Sequence, residues 1–260
     1  MSKLLIKGGY VVDPARRFEQ VCDILIDDGR IAKVSQDIDD QSKDLNVIDA
    51  SGLVVTPGLV DMHVHLRDPG QVHKEDILSG CESAAAGGFT AVACMPNTNP
   101  VADSHQVIEY ILDKAKTAKA RVYPVASITK GLMGKEISDF IQLKLAGAVA
   151  VSDDGRPVRN SAMLQSALLL AQSAGMPLIS HCEDLDIIDG GIMHKGTVSE
   201  ELSVKGMDRT SEDSVTAREI AIAAATNTAV HIAHVSTRGS IELIRDAKRR
   251  GVRVSAETCP

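Results

Sequence analysis

From residue 53 onward, short apolar runs alternate with segments of helical periodicity, and this alternation restricts the fold more than any other feature. Seven runs have the length and composition of buried strands. They are predicted at 53–60, 89–95, 121–126, 147–151, 177–180, 229–233 and 252–256. Helices are predicted between them at 74–86, 103–119, 135–145, 160–174, 212–226 and 239–250. Such α/β alternation gives a parallel sheet covered by helices, and seven repeats favour a (β/α)8 TIM-type barrel over an open sheet.

The first 52 residues follow a different pattern. Short strand-like runs are separated by turn-forming residues, and Asp27-Asp28-Gly29-Arg30 has the composition of a hairpin turn. We therefore predict a small β module over residues 1–52 and a barrel domain over residues 53–260. The widest interval between predicted strands, 182–211, is polar and charged, and we expect it to cover a functional site or to lie beside one.

An eight-stranded barrel leaves one strand unaccounted for. Seven strands are predicted before the sequence ends at Pro260, directly after a strand, where a functional loop should begin. The expectation is therefore a barrel truncated before strand eight and incomplete at the C-terminus. Its unpaired edge strands would make it poorly stable unless another chain closes it.

Composition and charge exclude several classes of function. The formal net charge of −7 argues against nucleic acid as a partner, because phosphate binding needs a basic surface. The five cysteines are widely spaced and form no CxxC pair, which is typical of a reduced cytoplasmic protein. No apolar run approaches the roughly 20 residues of a membrane span. We expect a cytoplasmic protein that acts on a small molecule, with neither a nucleic-acid nor a membrane partner.

His63 and His65 are the first candidates for a functional site. They follow the first predicted strand and are two residues apart, so that their imidazoles point to one face and could share a metal ion. Arg67 offers a planar guanidinium suited to a carboxylate. An H-x-H triplet alone is weak evidence for a metal site, so the prediction of such a site requires further ligands where one fold would gather them.

Polar residues also follow the later strands, at the ends where barrels of this type carry their active sites. In chain order they are Asn97, Asp153-Asp154, His181, His234 and Glu257. Their convergence predicts a metal site. Alternatives stay open: Asp154 fits a turn before Gly155, His181 fits a core histidine, and Asn97 fits a turn in a proline-rich loop. We interpret His231 and Cys182 as structural, and His73, His105 and His194 as solvated.

Five segments carry a resemblance to a known family: His63-Val64-His65-Leu66-Arg67-Asp68-Pro69-Gly70, Met95-Pro96-Asn97-Thr98, Asp153-Asp154-Gly155, His181-Cys182-Glu183 and Ala233-His234-Val235-Ser236. Together they resemble the amidohydrolase superfamily, and within it the type I dihydroorotases. The resemblance extends through nearly the whole chain. The first two segments in combination are far more specific than an H-x-H triplet.

The resemblance implies a site with one or two zinc ions. Its implied ligands are His63, His65, His181 and His234, with Asp154 as the carboxylate in the place where several relatives carry a carboxylated lysine. Arg67 and Asn97 would bind the substrate carboxylate. Residues 1–52 would form half of a β-sandwich. The catalytic aspartate of the family is expected beyond Pro260, so that the 260-residue chain alone is expected to be inactive.

The implied activity is the reversible cyclisation of N-carbamoyl-L-aspartate to L-dihydroorotate in de novo pyrimidine biosynthesis. A cyclic amidase of the allantoinase or dihydropyrimidinase type is an alternative, although an uncharged ring needs no guanidinium at Arg67. A non-catalytic partner of aspartate transcarbamoylase is a third hypothesis, and such a protein is expected to lose metal ligands. The expected assembly is a homodimer or a complex with aspartate transcarbamoylase.

Overall fold

The structure is a computed structural model that describes residues 3–259. Its contacts divide the chain into two compact units, Met1–Leu59 and Val60–Pro260. This division falls later than the boundary predicted after residue 52. In the described part of the chain no helix is both long and apolar enough to cross a membrane.

The first unit is a small five-stranded sheet. Its strands are β1 (Lys3–Asp13), β2 (Phe18–Asp27), β3 (Arg30–Ser35), β4 (Leu45–Asp49) and β5 (Val54–Val55). The central strand, β1, pairs antiparallel with β2 and parallel with β4 and β5. The predicted hairpin turn is confirmed, since Asp27 of β2 pairs with Arg30 of β3. A small core of Val11, Cys22 and Ile24 lies on one face of the sheet.

The second unit is built on a seven-stranded, curled sheet whose strands follow one another in chain order. They are β6 (Leu59–Val64), β7 (Phe89–Cys94), β8 (Arg121–Ala126), β9 (Ala150–Ser152), β10 (Leu178–Ser180), β13 (Val230–Ile232) and β14 (Val254–Ala256). All pairs from β7 to β14 are parallel. The predicted alternation of strands and helices is confirmed, and closure by an eighth strand stays a prediction.

Helices connect these strands. The main ones are α1 (Ile77–Ala86), α2 (His105–Lys114), α3 (Phe140–Ala146), α4 (Ser161–Ala174), α7 (Thr210–Thr226) and α8 (Arg238–Arg249). Two short 3-10 helices lie at Ala115–Thr117 and Lys130–Leu132. The polar interval contains the short helices α5 (Leu185–Ile188) and α6 (Thr197–Glu201), and the two-stranded pair β11 (Met193–His194) and β12 (Gly206–Met207).

The strand predicted at 53–60 is wrong as a single buried strand. The structure divides it at Pro57-Gly58, so that β5 pairs with β1 in the small sheet and β6 begins at Leu59. Proline has no N–H to give to a ladder, and glycine weakens a strand, so the two residues separate the segments. Val54 and Val60 are 64% and 60% exposed, because each segment lies at an outer position of its sheet.

Two predicted boundaries also move. The strand predicted at 147–151 begins only at Ala150, because Gly147 ends α3 in the left-handed conformation with φ 114°. The helix predicted at 135–145 begins at Phe140, because Thr129 forms a β-bridge with Ile137 and the Asp139 side chain caps the helix.

The sheet of the second unit has two apolar faces. The larger cluster packs the strands against the helices and includes Ala126 and Leu178. A smaller cluster contains Val125 and Ile179, the strand neighbours of Ala126 and Leu178, and these side chains point to the opposite face. His181 is two residues beyond Ile179, so the strand directs it to this second face, above the small cluster.

Candidate metal centre

Asp154 lies at the centre of a group of four histidines. It directly follows β9, and only 4% of its surface is exposed. Its Oδ1 atom lies 3.4 Å from Nε2 of His63, 3.3 Å from Nδ1 of His181 and 3.4 Å from Nε2 of His234. Its Oδ2 atom lies 3.4 Å from Nε2 of His65. The structure therefore brings together all five residues that the sequence singles out as ligands.

The ends of parallel strands explain this convergence. His63 lies in β6 and His65 just beyond its end, while His181 follows β10 by one residue. His234 lies two residues beyond β13 and has a φ of 35°, in the left-handed region that a residue with a side chain seldom adopts. Since the carboxyl ends of the strands meet at one edge, residues far apart in sequence reach one point.

Charge holds this group together. Burial alone would lower the pKa of His63, but Asp154 and Glu257 outweigh burial and raise that pKa to about 9. Burial likewise opposes ionisation of Asp154, but the nearby imidazoles of His181, His234 and His63 hold the pKa of its carboxyl well below the ordinary value. Burial lowers the pKa of His65, which favours its neutral form.

The donor atoms fit a divalent metal ion. Oδ1 of Asp154 is buried and has no well-aligned hydrogen bond within residues 3–259, although three imidazole nitrogens lie 3.3–3.4 Å away. Two ligands at about 2.0–2.1 Å from a tetrahedral zinc ion are separated by about 3.3 Å. One donor atom each from His63, Asp154 and His234 lies within 4.8 Å of the other two. Nitrogen and carboxylate donors of this kind suit zinc.

Glu257 and His231 extend the histidine group through contacts that the sequence did not predict. Oε1 of Glu257 lies 2.6 Å from Nδ1 of His63, and its Oε2 lies 3.4 Å from Nε2 of His231. His231 is buried in β13, and its Nδ1 lies 2.8 Å from Oγ of Ser255. A carboxylate on the far nitrogen of a ligating histidine fixes the orientation of the ring. The sequence signal that Glu257 belongs to the site was its position directly after β14.

Asn97 and Arg67 lie beside the histidines. Oδ1 of Asn97 is 3.0 Å from Nδ1 of His65, and its Nδ2 is 3.4 Å from Oδ2 of Asp154. Arg67 is half-buried with a φ of 58°, and its charge contributes to the lowered pKa of His65. Within residues 3–259 no hydrogen bond or ion pair engages its guanidinium. A partly buried cation without a partner is suited to bind an anion.

The loop that carries Arg67 is packed against the loop that carries Asn97. The side-chain amide of Gln71 donates to the carbonyl oxygen of Asn97 at 3.2 Å, and the N–H of Asn99 donates to the carbonyl oxygen of Pro69 at 3.0 Å. A Cβ atom at Gly70 would lie 1.9 Å from the carbonyl oxygen of Asn99. The absence of a side chain at Gly70 therefore permits the contact between the two loops.

Helix α2 anchors the first of these loops from behind. The Asp68 side chain is fully buried, where it forms an ion pair with Lys114 and accepts a hydrogen bond from the Tyr110 hydroxyl at 3.0 Å. A buried carboxylate needs such partners, because desolvation of an unpaired charge is costly. Asp153, beside the central carboxylate, is buried in a similar way and accepts hydrogen bonds from the N–H groups of Ile128 and Thr129.

A cavity of about 370 Å³ opens beside His181 and His234. Its wall is formed largely by the polar interval and the start of α7, including His194, Met207 and Glu212. The interval thus lies beside the histidine group, as expected. His194 is exposed, while Cys182 is buried against the core.

Comparison with known proteins agrees with this geometry. Residues 52–240 match the family described as "Dihydro-orotase-like". Over 259 residues the chain is 52% identical to a dihydroorotase of Ruminiclostridium cellulolyticum, with coverage of 99% of this chain and 60% of that protein. It is also 52% identical to a dihydroorotase of Geobacter metallireducens, with coverage of 99% and 61%. The chain thus spans about 60% of the length of these curated relatives.

Solved structures share the fold. An L-hydantoinase (dihydropyrimidinase) from Arthrobacter aurescens superimposes with a TM-score of 0.82 at 22% identity, over 99% of this chain and 58% of that one. A D-hydantoinase superimposes with a TM-score of 0.81 at 26% identity, over 99% and 57%. The family match covers most of the second unit and includes every residue of the histidine group. The chain therefore belongs to the dihydro-orotase-like family of the amidohydrolase superfamily.

Proposed function

We propose that this chain carries the metal centre and part of the substrate site of a dihydroorotase, which interconverts N-carbamoyl-L-aspartate and L-dihydroorotate. The observation that carries the proposal is the position of Arg67 and Asn97 beside four histidines grouped around one buried carboxylate. A ligand set of this kind suits hydrolytic metal chemistry, and a free guanidinium next to it suits a substrate with a carboxylate.

The histidines and Asp154 would hold zinc, as one or two ions. Zinc supplies Lewis-acid polarisation of a carbonyl and a bound water of lowered pKa. Oδ1 of Asp154 lies 3.3–3.4 Å from three histidines, and its Oδ2 lies 3.4 Å from His65. The two carboxylate oxygens therefore face histidines on both sides. Glu257 orients the ring of His63 through Nδ1, which leaves Nε2 directed toward Asp154.

Arg67 and Asn97 would fix the substrate. The guanidinium of Arg67 can form two parallel hydrogen bonds with the carboxylate that both N-carbamoyl-L-aspartate and dihydroorotate carry. Fixing this group orients the ring amide relative to the histidine group, which lowers the entropic part of the barrier. An uncharged ring such as dihydrouracil or allantoin would not use this interaction.

Other parts of the family pattern are proposals of the same kind. An eighth strand that closes the sheet and a proton-transferring aspartate, both expected from the family pattern, stay predictions. So does association as a homodimer or with aspartate transcarbamoylase. A cytoplasmic location is supported by cysteines that are all free in the described residues.

Steady-state kinetics test the substrate assignment. Turnover of L-dihydroorotate, dihydrouracil and allantoin is compared in the protein as its organism makes it, for the wild type and for Arg67→Lys. We expect preference for dihydroorotate in the wild type. In Arg67→Lys we expect a KM for dihydroorotate raised at least about tenfold, since a single ammonium cannot replace the bidentate fork. The exposed Arg250→Lys is the matched control. Faster turnover of an uncharged ring, or an unchanged KM in Arg67→Lys, would contradict the proposal.

A further inference from the structure

The carboxylate of Glu212 occupies the beginning of helix α8. Its oxygens accept hydrogen bonds from the N–H of Ser236 at 3.1 Å and from the N–H of Thr237 at 3.1 Å. The hydroxyls of the same two residues also lie within hydrogen-bonding distance, at 2.5 Å and 3.0 Å. One side chain from α7 thus accepts hydrogen bonds from the donors that precede the first turn of α8.

Neighbouring residues pack against this contact and form hydrogen bonds beside it. Thr237 is the N-cap of α8, and its Oγ accepts from the N–H of Ser240 at 3.1 Å. Asp213, next to Glu212, lies 2.5 Å from the Thr237 hydroxyl. A Cβ atom at Gly239 would lie 2.4 Å from the carboxylate of Asp213, so only glycine leaves room for it there. The start of α8 and the start of α7 are therefore fitted to each other.

The segment held in this way begins with a member of the metal centre. His234 precedes Ser236 by two residues and adopts a φ of 35°, a strained conformation that persists only where its surroundings fix it. Before it, the N–H of Ala233 donates to the carbonyl oxygen of Ser180 at 3.0 Å. After it, the N–H of Val235 donates to the carbonyl oxygen of Glu257 at 2.8 Å.

This fixed backbone directs the imidazole of His234. Its Nε2 lies 2.7 Å from Nδ1 of His181 and 3.4 Å from Oδ1 of Asp154. The contacts of Val235 hold the backbone on the β14 side, while Glu212 holds Ser236 and Thr237 on the α7 side. Among the described residues, no hydrogen bond or ion pair joins Glu212 to a residue proposed as a zinc ligand.

We infer that Glu212 is a positioning residue for His234: its carboxylate fixes residues 234–237 so that the imidazole faces Asp154 and His181. The inference deepens the proposed function, because it rests on the role of His234 as a zinc ligand. Side chains that orient a metal ligand from behind typically change metal affinity 10- to 100-fold when removed.

Chemical rescue tests the inference. Glu212→Ala leaves the N–H and hydroxyl donors of Ser236 and Thr237 around a carboxylate-sized space, which formate can fill. We expect zinc affinity of the chain to fall about 10- to 100-fold in Glu212→Ala and to recover at least about tenfold with formate, but not with chloride at equal ionic strength. Wild type with formate corrects for binding of formate to zinc. Glu212→Gln, which fills the space and places an amide NH2 against the donors, should lose affinity and gain nothing from formate. Glu242→Ala, exposed on α8, is the matched control.

A second readout does not depend on zinc. In the metal-free chain, formate added to Glu212→Ala should return the amide resonances of Ser236 and Thr237, and the ring resonances of His234, to their wild-type positions. The inference is overturned if formate restores the amide resonances of Ser236 and Thr237 but neither the ring resonances of His234 nor the zinc affinity. Glu212 would then support the fold alone. If the wild-type chain binds no zinc, but formate still restores the His234 ring resonances in Glu212→Ala, the proposed function is refuted and the positioning role remains.

Discussion

His63 lies between two carboxylates, and this position makes the stability of the metal-free chain depend on pH. Its pKa of about 9 in the folded state lies above the ordinary value of 6.5, so folding favours the protonated ring. The resulting stabilisation is complete below pH 6.5 and is lost as pH rises through 9. At about 1.4 kcal/mol per pKa unit, it amounts to roughly 3 kcal/mol.

Urea unfolding in the presence of a chelator measures this effect. Between pH 6.5 and 9 the wild type should lose more unfolding free energy than His63→Gln, because the variant has no ring to titrate. His105→Gln, altered at an exposed histidine at the start of α2, should follow the wild type. Parallel curves for wild type and His63→Gln would show that Asp154 and Glu257 do not stabilise the protonated ring.

The candidate ligands could be predicted from the sequence, but the residues that support them could not. His63, His65, His181 and His234 stand at strand ends, which the alternation of strands and helices makes visible. Glu257 contacts His63 across 194 positions of the chain, and such a contact depends on the curvature of the sheet. Glu212 is helical by pattern and gave no sign that it reaches the start of another helix.

The two loops beside the histidines are held by a contact that only glycine allows. Gly70 and Gly88 have similar positive φ angles, of 92° and 81°. A Cβ at Gly70 would overlap the carbonyl oxygen of Asn99, whereas nothing lies within 4 Å of one at Gly88. The pair therefore separates backbone strain from steric conflict.

Alanine substitutions at the two glycines give a matched experiment. Gly88→Ala should cost about 1–2 kcal/mol, the penalty of a side chain in the left-handed region. Gly70→Ala should cost about 1–3 kcal/mol more, because the loop must also move away from Asn99. Unfolding in urea measures both. Equal losses would mean that the loops do not pack as closely as the structure has them.

The elements themselves were predicted well where a strand is followed by a long helix, as at β7 and α2 or β13 and α8. Prediction failed at 53–60, since an apolar run carries no mark of which sheet it joins. Pro57-Gly58 marked the break, but its meaning depends on β1 offering an edge to β5. The polar interval was recognised as an excursion, whereas its short helices and paired strands are too brief to show a period.

The candidate metal centre links β6, at one edge of the large sheet, with β13, which lies next to the strand at the other edge. His63 comes from β6, and His234 follows β13. An ion bound by both stabilises the folded sheet relative to the unfolded chain, where the ligands are scattered. Zinc at about 100 times its dissociation constant should add about 2.7 kcal/mol.

Thermal unfolding with zinc and with a chelator measures this gain. Asp154→Asn should abolish most of it, because the carboxylate contacts every histidine of the group. The zinc-dependent shift should persist in His105→Gln. A shift of equal size in wild type and Asp154→Asn would place the stabilising zinc elsewhere.

The polar interval and the metal centre belong to different parts of the architecture. The interval closes upon itself, since the N–H of Ile192 donates to the carbonyl oxygen of Lys205 and the N–H of Lys195 to that of Met207. Within the described residues β11 and β12 pair with each other and not with the large sheet, whose strand ends carry the histidines. Beyond Glu183, which contacts His181, the sequence and length of the interval can therefore diverge and reshape the cavity wall while the histidines keep their places. Under the proposed function, substrate range and bond-breaking chemistry are separately evolvable in such a scaffold.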